Sequence, residues 1–329
     1  MKSQYNIHGL YFEVTADHPM PFDMIDQELR TFRTKTKINS RRTVKFSITT
    51  LPVQSDKIPY PPPFEKYCEV SSQLRMPSKS VISRYGRSLI TIINDIPKHR
   101  IRAAVVPDPS LFPDPAHYHC LTQPIGLWLK QSGLFFLHSA CVTDGQKGIL
   151  IAGQSGAGKS SLAVAAVRAG FKYLGDEHPF LSIRNGRLRA YAFPRRVRLN
   201  RSVAAIFPEL KSVMESSTAD RLVFPIEQIW PGCLVTSCKP RLLVFPKFQS
   251  RGPMRISRLE PREALRRLLQ DDQFIWYLNG LGKKVSGQYL ALVSRLVQET
   301  VAFRLNYGTK DILKIPSVFR RLLNTDTRS

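Results

Sequence analysis

The 329-residue sequence predicts an α/β fold of the mixed-sheet, α+β kind over residues 118–329, with a smaller strand-rich annex over residues 1–117. Three observations carry this expectation. An apolar run of strand length, Ile149-Leu150-Ile151-Ala152, leads into a glycine-rich stretch. A segment rich in helix formers, Ser161 to Arg168, leaves it and closes at Gly170. Before residue 107 the apolar segments are short and alternating, and Pro107 to His117 then carries four prolines and two aspartates, a loop composition that marks the boundary.

In the annex, Gly9 to Val14 and Thr43 to Ile48 alternate as short strands, with one or two helical turns between them at Phe22 to Leu29. Ile58 to Pro63 reads as an extended connector, because proline fixes φ and brings no N–H. Leu89 to Ile93 and Ile101 to Val106 form a strand pair around Pro97-Lys98-His99. Beyond the boundary, Leu121 to Lys130 is helical and Gly133 to Val142 a strand that carries His138. Asp144-Gly145 turns the chain into the strand before the glycines. Phe171 to Gly175 is another short strand, ending in Asp176-Glu177-His178. Short strands follow at Leu181 to Ile183, Leu188 to Phe193 and Arg241 to Phe245. Helices follow at Pro261 to Leu269, with proline at the first turn, and at Tyr289 to Val297. Val301 to Tyr307 is a closing strand and Pro316 to Leu323 a final helix.

The glycine stretch, Gly153-Gln154-Ser155-Gly156-Ala157-Gly158-Lys159-Ser160, matches G-x-x-x-x-G-K-S/T without gap or substitution. Strand, glycine loop and helix is the order that lets backbone N–H groups wrap phosphates, with the helix N-terminus adding partial positive charge. The expected ligand is a nucleotide: residues Gly153 to Ser161 cradle its phosphates, Lys159 reaches the β/γ-phosphates and Ser160 holds Mg2+. A carboxylate at the carboxyl end of a strand stands where α/β sheets bind ligands, and Mg2+ prefers such oxygens, so Asp176 and Glu177 complete the candidate metal set.

Composition narrows the remaining classes. The hydrophobic fraction, 43%, supports an ordinary core, while the formal charge of +24 reads either as a solvated basic surface or as one that attracts nucleic acid, anionic lipid, acidic peptides or phosphorylated ligands. Arg41-Arg42, Arg195-Arg196-Val197-Arg198, Arg262 to Arg267 and Arg320-Arg321 concentrate that charge, and Arg195, Arg196 and Arg198 are candidates to clamp phosphate or an acidic substrate. No helix-turn-helix, RNA-binding signature or zinc finger is present, so nucleic acid is not the expected ligand. The five cysteines, Cys68, Cys120, Cys141, Cys233 and Cys238, form no paired framework, and no signal core or membrane-length apolar run occurs. The expectation is a cytoplasmic protein with reduced thiols, and a homo-oligomer is compatible with it. Trp230 and Trp276 have core spacing.

The compact order of His138, the loop at 153–160 and Asp176-Glu177 on the next strand resembles the catalytic domain of the HPr serine kinase/phosphorylase family. It is also similar, more distantly, to the phosphoenolpyruvate carboxykinases, whose acidic strand carries a like Asp-Glu-His sequence. The tight match runs from Phe136 to His178, and the annex looks more like that of kinase relatives that phosphorylate precursor peptides on serine. The resemblance implies that Asp176 accepts the proton of an attacking serine hydroxyl. It further implies that Glu177, in place of the family's second Asp, orients Mg2+, that His138 supports this acidic pair by a hydrogen bond, and that the acceptor is a serine of a peptide or small protein. The family's Arg-Gly-x-Gly signature has no counterpart, since Phe193 to Asn200 stands in its place. The resemblance therefore does not carry phosphorolysis, or HPr as the acceptor. A nucleotide-dependent regulatory module without transferase activity and a kinase of free serine are the alternatives.

Overall fold

The computed structural model describes residues 1–35, 43–50, 65–66, 72–75, 80–85, 90–95, 98–105, 124–176, 179–193, 196–270 and 283–325. Several sequence expectations fall outside these residues: the connector at Ile58 to Pro63, the boundary loop at Pro107 to His117, Arg41-Arg42, Cys68, Cys120, Glu177, His178, Arg195 and Trp276. The chain forms two compact units, Met1–Ser132 and Gly133–Ser329.

The first unit is built on an eight-stranded sheet. Its strands are β1 (Lys2–Ile7), β2 (Leu10–Ala16), β3 (Thr43–Thr50), β4 (Glu65–Lys66), β5 (Ser72–Arg75), β6 (Ser80–Tyr85), β7 (Ile90–Asp95) and β8 (Arg100–Val105), in the order β1-β2-β3-β8-β7-β6-β5-β4. The sheet is mixed, with β2–β3 and β3–β8 parallel and the other neighbours antiparallel. A two-residue turn at His8-Gly9, both with positive φ (52° and 89°), joins β1 to β2, the backbone a tight hairpin demands. The helical turns read at Phe22 to Leu29 extend into an 11-residue helix α1 (Pro19–Leu29). Its start is set by Pro19 and by His18, whose ring nitrogen accepts the Met20 N–H at 3.2 Å. Helix α2 spans 124–131 and belongs to this unit, so the division between units falls after Ser132 rather than after His117.

The second unit is centred on a nine-stranded mixed sheet. Its strands are β9 (Phe135–Phe136), β10 (Ser139–Thr143), β11 (Lys147–Ala152), β12 (Lys172–Gly175), β13 (Phe180–Arg184) and β14 (Arg187–Tyr191). A separate pair, β15 (Val197–Asn200) and β16 (Arg221–Phe224), precedes the remaining sheet strands β17 (Ser237–Phe248), β18 (Arg255–Leu259) and β19 (Val301–Tyr307). The order β12-β10-β11-β17-β14-β13-β9 has β19 attached to β17 and β18 to β19. Strand β17 is the hub: β11 runs parallel along one side, while β14 and then β19 share the other.

At 12 residues β17 is far longer than the Arg241 to Phe245 segment expected, and it contains two prolines. Both are tolerated for local reasons. Pro240 faces Gly148 where the β11–β17 register shifts, and Pro246 lies beyond Val244, the last β17 residue that pairs with β11.

Helices cover both faces of this sheet. On one face the helix α3 (Lys159–Arg168) packs with the helix Ile315–Asn324, in a core that includes Leu162, Val164, Phe171, Leu305 and Phe319. Residues Leu162 to Val167 are all buried, so α3 is apolar all round, as a helix enclosed between two layers must be. On the other face the helices Pro261–Leu269 and Lys283–Glu299 bury Ala264, Leu268, Leu292 and Leu296 against Leu150, Leu243 and Ala302. Full burial of each such leucine contributes about 1.5–3 kcal/mol.

Candidate functional site

The glycine loop joins β11 directly to α3, as the motif requires. The helix begins at Lys159, two residues before the expected Ser161, because Gly158 acts as its N-cap with φ 94°. A side chain at Gly158 is excluded twice. That φ lies in the left-handed region, and an added Cβ would stand 1.7 Å from the Tyr307 hydroxyl. Tyr307 is 1% exposed at the end of β19 and donates its hydroxyl to the Ala157 carbonyl at 3.3 Å. Burial pushes its pKa up to about 12. Within the loop, the Ala157 N–H turns back to the Gln154 carbonyl at 3.2 Å. Gln154, Ser155 and Gly156 form the exposed crest.

Lys159 is buried, and its ammonium donates to the Gly153 carbonyl at 2.7 Å and the Gln154 carbonyl at 3.1 Å. The amine thus arches back over the mouth of the loop. Ser160 is half-buried in the first turn of α3 and Ser161 is buried behind it.

Strand register brings the other candidates to the same edge of the sheet. Strand β10 runs antiparallel to β11 with Ser139 facing Ala152, so His138 lies level with Gly153. It also runs antiparallel to β12 with Cys141 facing Gly175, so Asp176, one residue on, extends toward that edge too. Asp176 is only 3% exposed. His138 is half-buried and is not within a strand, contrary to the sequence expectation. The chain bends there as it passes from β9, which pairs with β13, to β10, which pairs with β11 and β12. The Leu137 N–H donates to the Pro179 carbonyl at 3.0 Å and fixes that bend.

The donor set at this edge combines exposed backbone amides, a lysine amine, a serine hydroxyl and a buried carboxylate. This is the chemistry a polyphosphate and a hard cation require. Among the described residues no group of three or more His, Cys, Asp and Glu is placed to hold a metal on its own. Mg2+ at phosphate sites takes one or two carboxylates and fills its other positions with phosphate and water, so the residues present fit it only together with a nucleotide. Of the candidate phosphate clamp, Arg196 is exposed and Arg198 is half-buried on β15. Among the described residues, no helix is long and apolar enough to cross a membrane.

Two residues with a place at this site were missed in the sequence. Tyr307 sits 150 positions from the carbonyl it holds. Phe248, at the end of β17, packs against it with ring centroids 5.8 Å apart. No sequence signal could have joined either to the loop, since the pairing of β17 with β19 alone does so.

No family model matches the chain, and no curated protein does. Among solved structures, the Hpr(Ser) kinase/phosphatase from Coxiella burnetii is similar over 57% of this chain and 95% of that one, with 11% identity and a TM-score of 0.31.

Proposed function

We propose that the second unit is a Mg-ATP-dependent kinase that transfers the γ-phosphate to a serine hydroxyl of a peptide or small protein. The observation that carries this reading is the strand register, which gathers His138, the loop at Gly153 to Ser160 and Asp176 at one sheet edge. In this reading the loop amides and the α3 N-terminus hold the β- and γ-phosphates. Lys159 exchanges its hydrogen bonds to the Gly153 and Gln154 carbonyls for phosphate oxygens. Ser160, Asp176 and Glu177 are the residues that would hold Mg2+, which when bound neutralises phosphate charge.

Asp176 accepts the proton as the serine oxygen attacks the γ-phosphorus. The β–γ bridging bond breaks and ADP departs. The serine acceptor rests on the sequence resemblance, and the charge of +24 favours an acidic one.

The test is phosphate transfer from labelled ATP to free serine, to HPr and to the peptide encoded beside this gene. Serine phosphorylation of a peptide is expected, and Asp176→Asn should lose it while still binding ATP. Transfer that survived Asp176→Asn would overturn the mechanism.

A further inference from the structure

Phe248 is 47% exposed, whereas its partner across the strand pair, Tyr307, is 1% exposed. A single exposed apolar residue is ordinary in itself, so its position must carry the case. Phe248 ends β17, paired with Tyr307, and their rings meet at 80°. Tyr307 in turn holds the loop through Ala157. Two residues before Phe248, the Pro246 ring lies 3.9 Å from where a Cβ of Gly153 would stand. The aromatic face is therefore supported by the same residue that shapes the glycine loop.

The strand order gives this edge a direction. Read from β12 through β10, β11 and β17 to β19, it places Asp176 on one side of the loop and Phe248 on the other. A nucleotide whose terminal phosphate lies toward Asp176 must extend its other end toward β17 and β19. Those strands stand one to two strand spacings, about 5–10 Å, from β11. The α-phosphate and ribose cover that span, which leaves the base over Phe248.

We infer that Phe248 is the stacking platform for the nucleobase, with a purine as the class of base that best covers its exposed ring. This rests on the nucleotide reading above and deepens it. Because stacking reads a π-face, the platform supplies affinity more than choice among purines.

The experiment is calorimetric titration of the full chain with Mg-ATP and, separately, with Mg-tripolyphosphate, which has the phosphates but no base. Phe248→Ala should weaken ATP about 5- to 150-fold while tripolyphosphate binds as in the wild type. Phe248→Leu, which keeps apolar contact with Tyr307, should lose ATP affinity in the same way. The fluorescence of Phe248→Trp should be quenched by ATP and not by tripolyphosphate. Equal loss for both ligands, or no loss for either, would overturn the inference. So would a wild-type chain that binds tripolyphosphate no more weakly than ATP. A wild type that binds neither ligand would overturn the nucleotide reading itself, and the platform with it.

Discussion

The hydroxyl oxygen of Tyr307 lies 1.7 Å from the point a Cβ on Gly158 would occupy. The loop and the last sheet strand are thus fitted to each other at one atom, and the fit can be tested by mutation. Gly158→Ala combines left-handed strain with overpacking and should cost about 2–4 kcal/mol. The expected fall in Tm is about 5–15 °C. Tyr307→Phe alone loses one hydrogen bond, about 0.5–1.5 kcal/mol. In the double variant the two costs should fall short of additivity by at least about 1 kcal/mol, as read from denaturant midpoints.

Lys159→Met should leave cooperative unfolding in place, because the amine's hydrogen bonds to the Gly153 and Gln154 carbonyls lie within its own loop. Tripolyphosphate affinity should fall about 10- to 150-fold, the worth of one charge-assisted hydrogen bond. Calorimetry beside a melting curve separates the two effects.

Tyr307 gives the fold a pH dependence on the alkaline side. Burial raises its pKa from 10.0 to about 12, so the neutral phenol is the form the fold favours. The stabilisation is complete below the unfolded-state value near 10 and is lost as pH rises toward 12, on the order of 1–3 kcal/mol. Urea denaturation at pH 9 and pH 11 should show a loss that is smaller in Tyr307→Phe than in the wild type.

Cys141 and Cys238 place their sulfurs 3.9 Å apart, buried on strands that flank β11. The contact with Cys238, together with burial, pushes the Cys141 thiol well above its ordinary range. Burial also raises Cys233 to about 11. These three thiols should resist alkylation in the folded chain at pH 8 and react on unfolding.

The strand–loop–helix at the glycines was legible because its chemistry is local: glycines where positive φ is needed, apolar residues on either side. The helix Pro261–Leu269 was legible to the residue for the same reason, with proline to start it and a 3.6-residue pattern to run it. What sequence reading missed was set at a distance. The bend at His138 exists because neighbouring residues join different strands. The length of β17 is hidden by Pro240 and Pro246, whose cost is removed by a register shift and by the end of β11. The His8-Gly9 hairpin went unread, only the strand from Gly9 to Val14 being expected, because histidine is an uncommon carrier of positive φ. Of the candidate site, the loop and Asp176 were visible in the sequence, while Tyr307 and Phe248 became visible only through the pairing of β17 with β19.

That pairing also sets an order of events during synthesis. The ribosome delivers all of the G-x-x-x-x-G-K-S motif by Ser160, yet the residue that clasps it emerges only at Tyr307. A nascent chain therefore carries the motif written but not shaped until β19 has emerged, because contacts so remote in sequence close late. A chain released before Val301 carries the signature without the clasp.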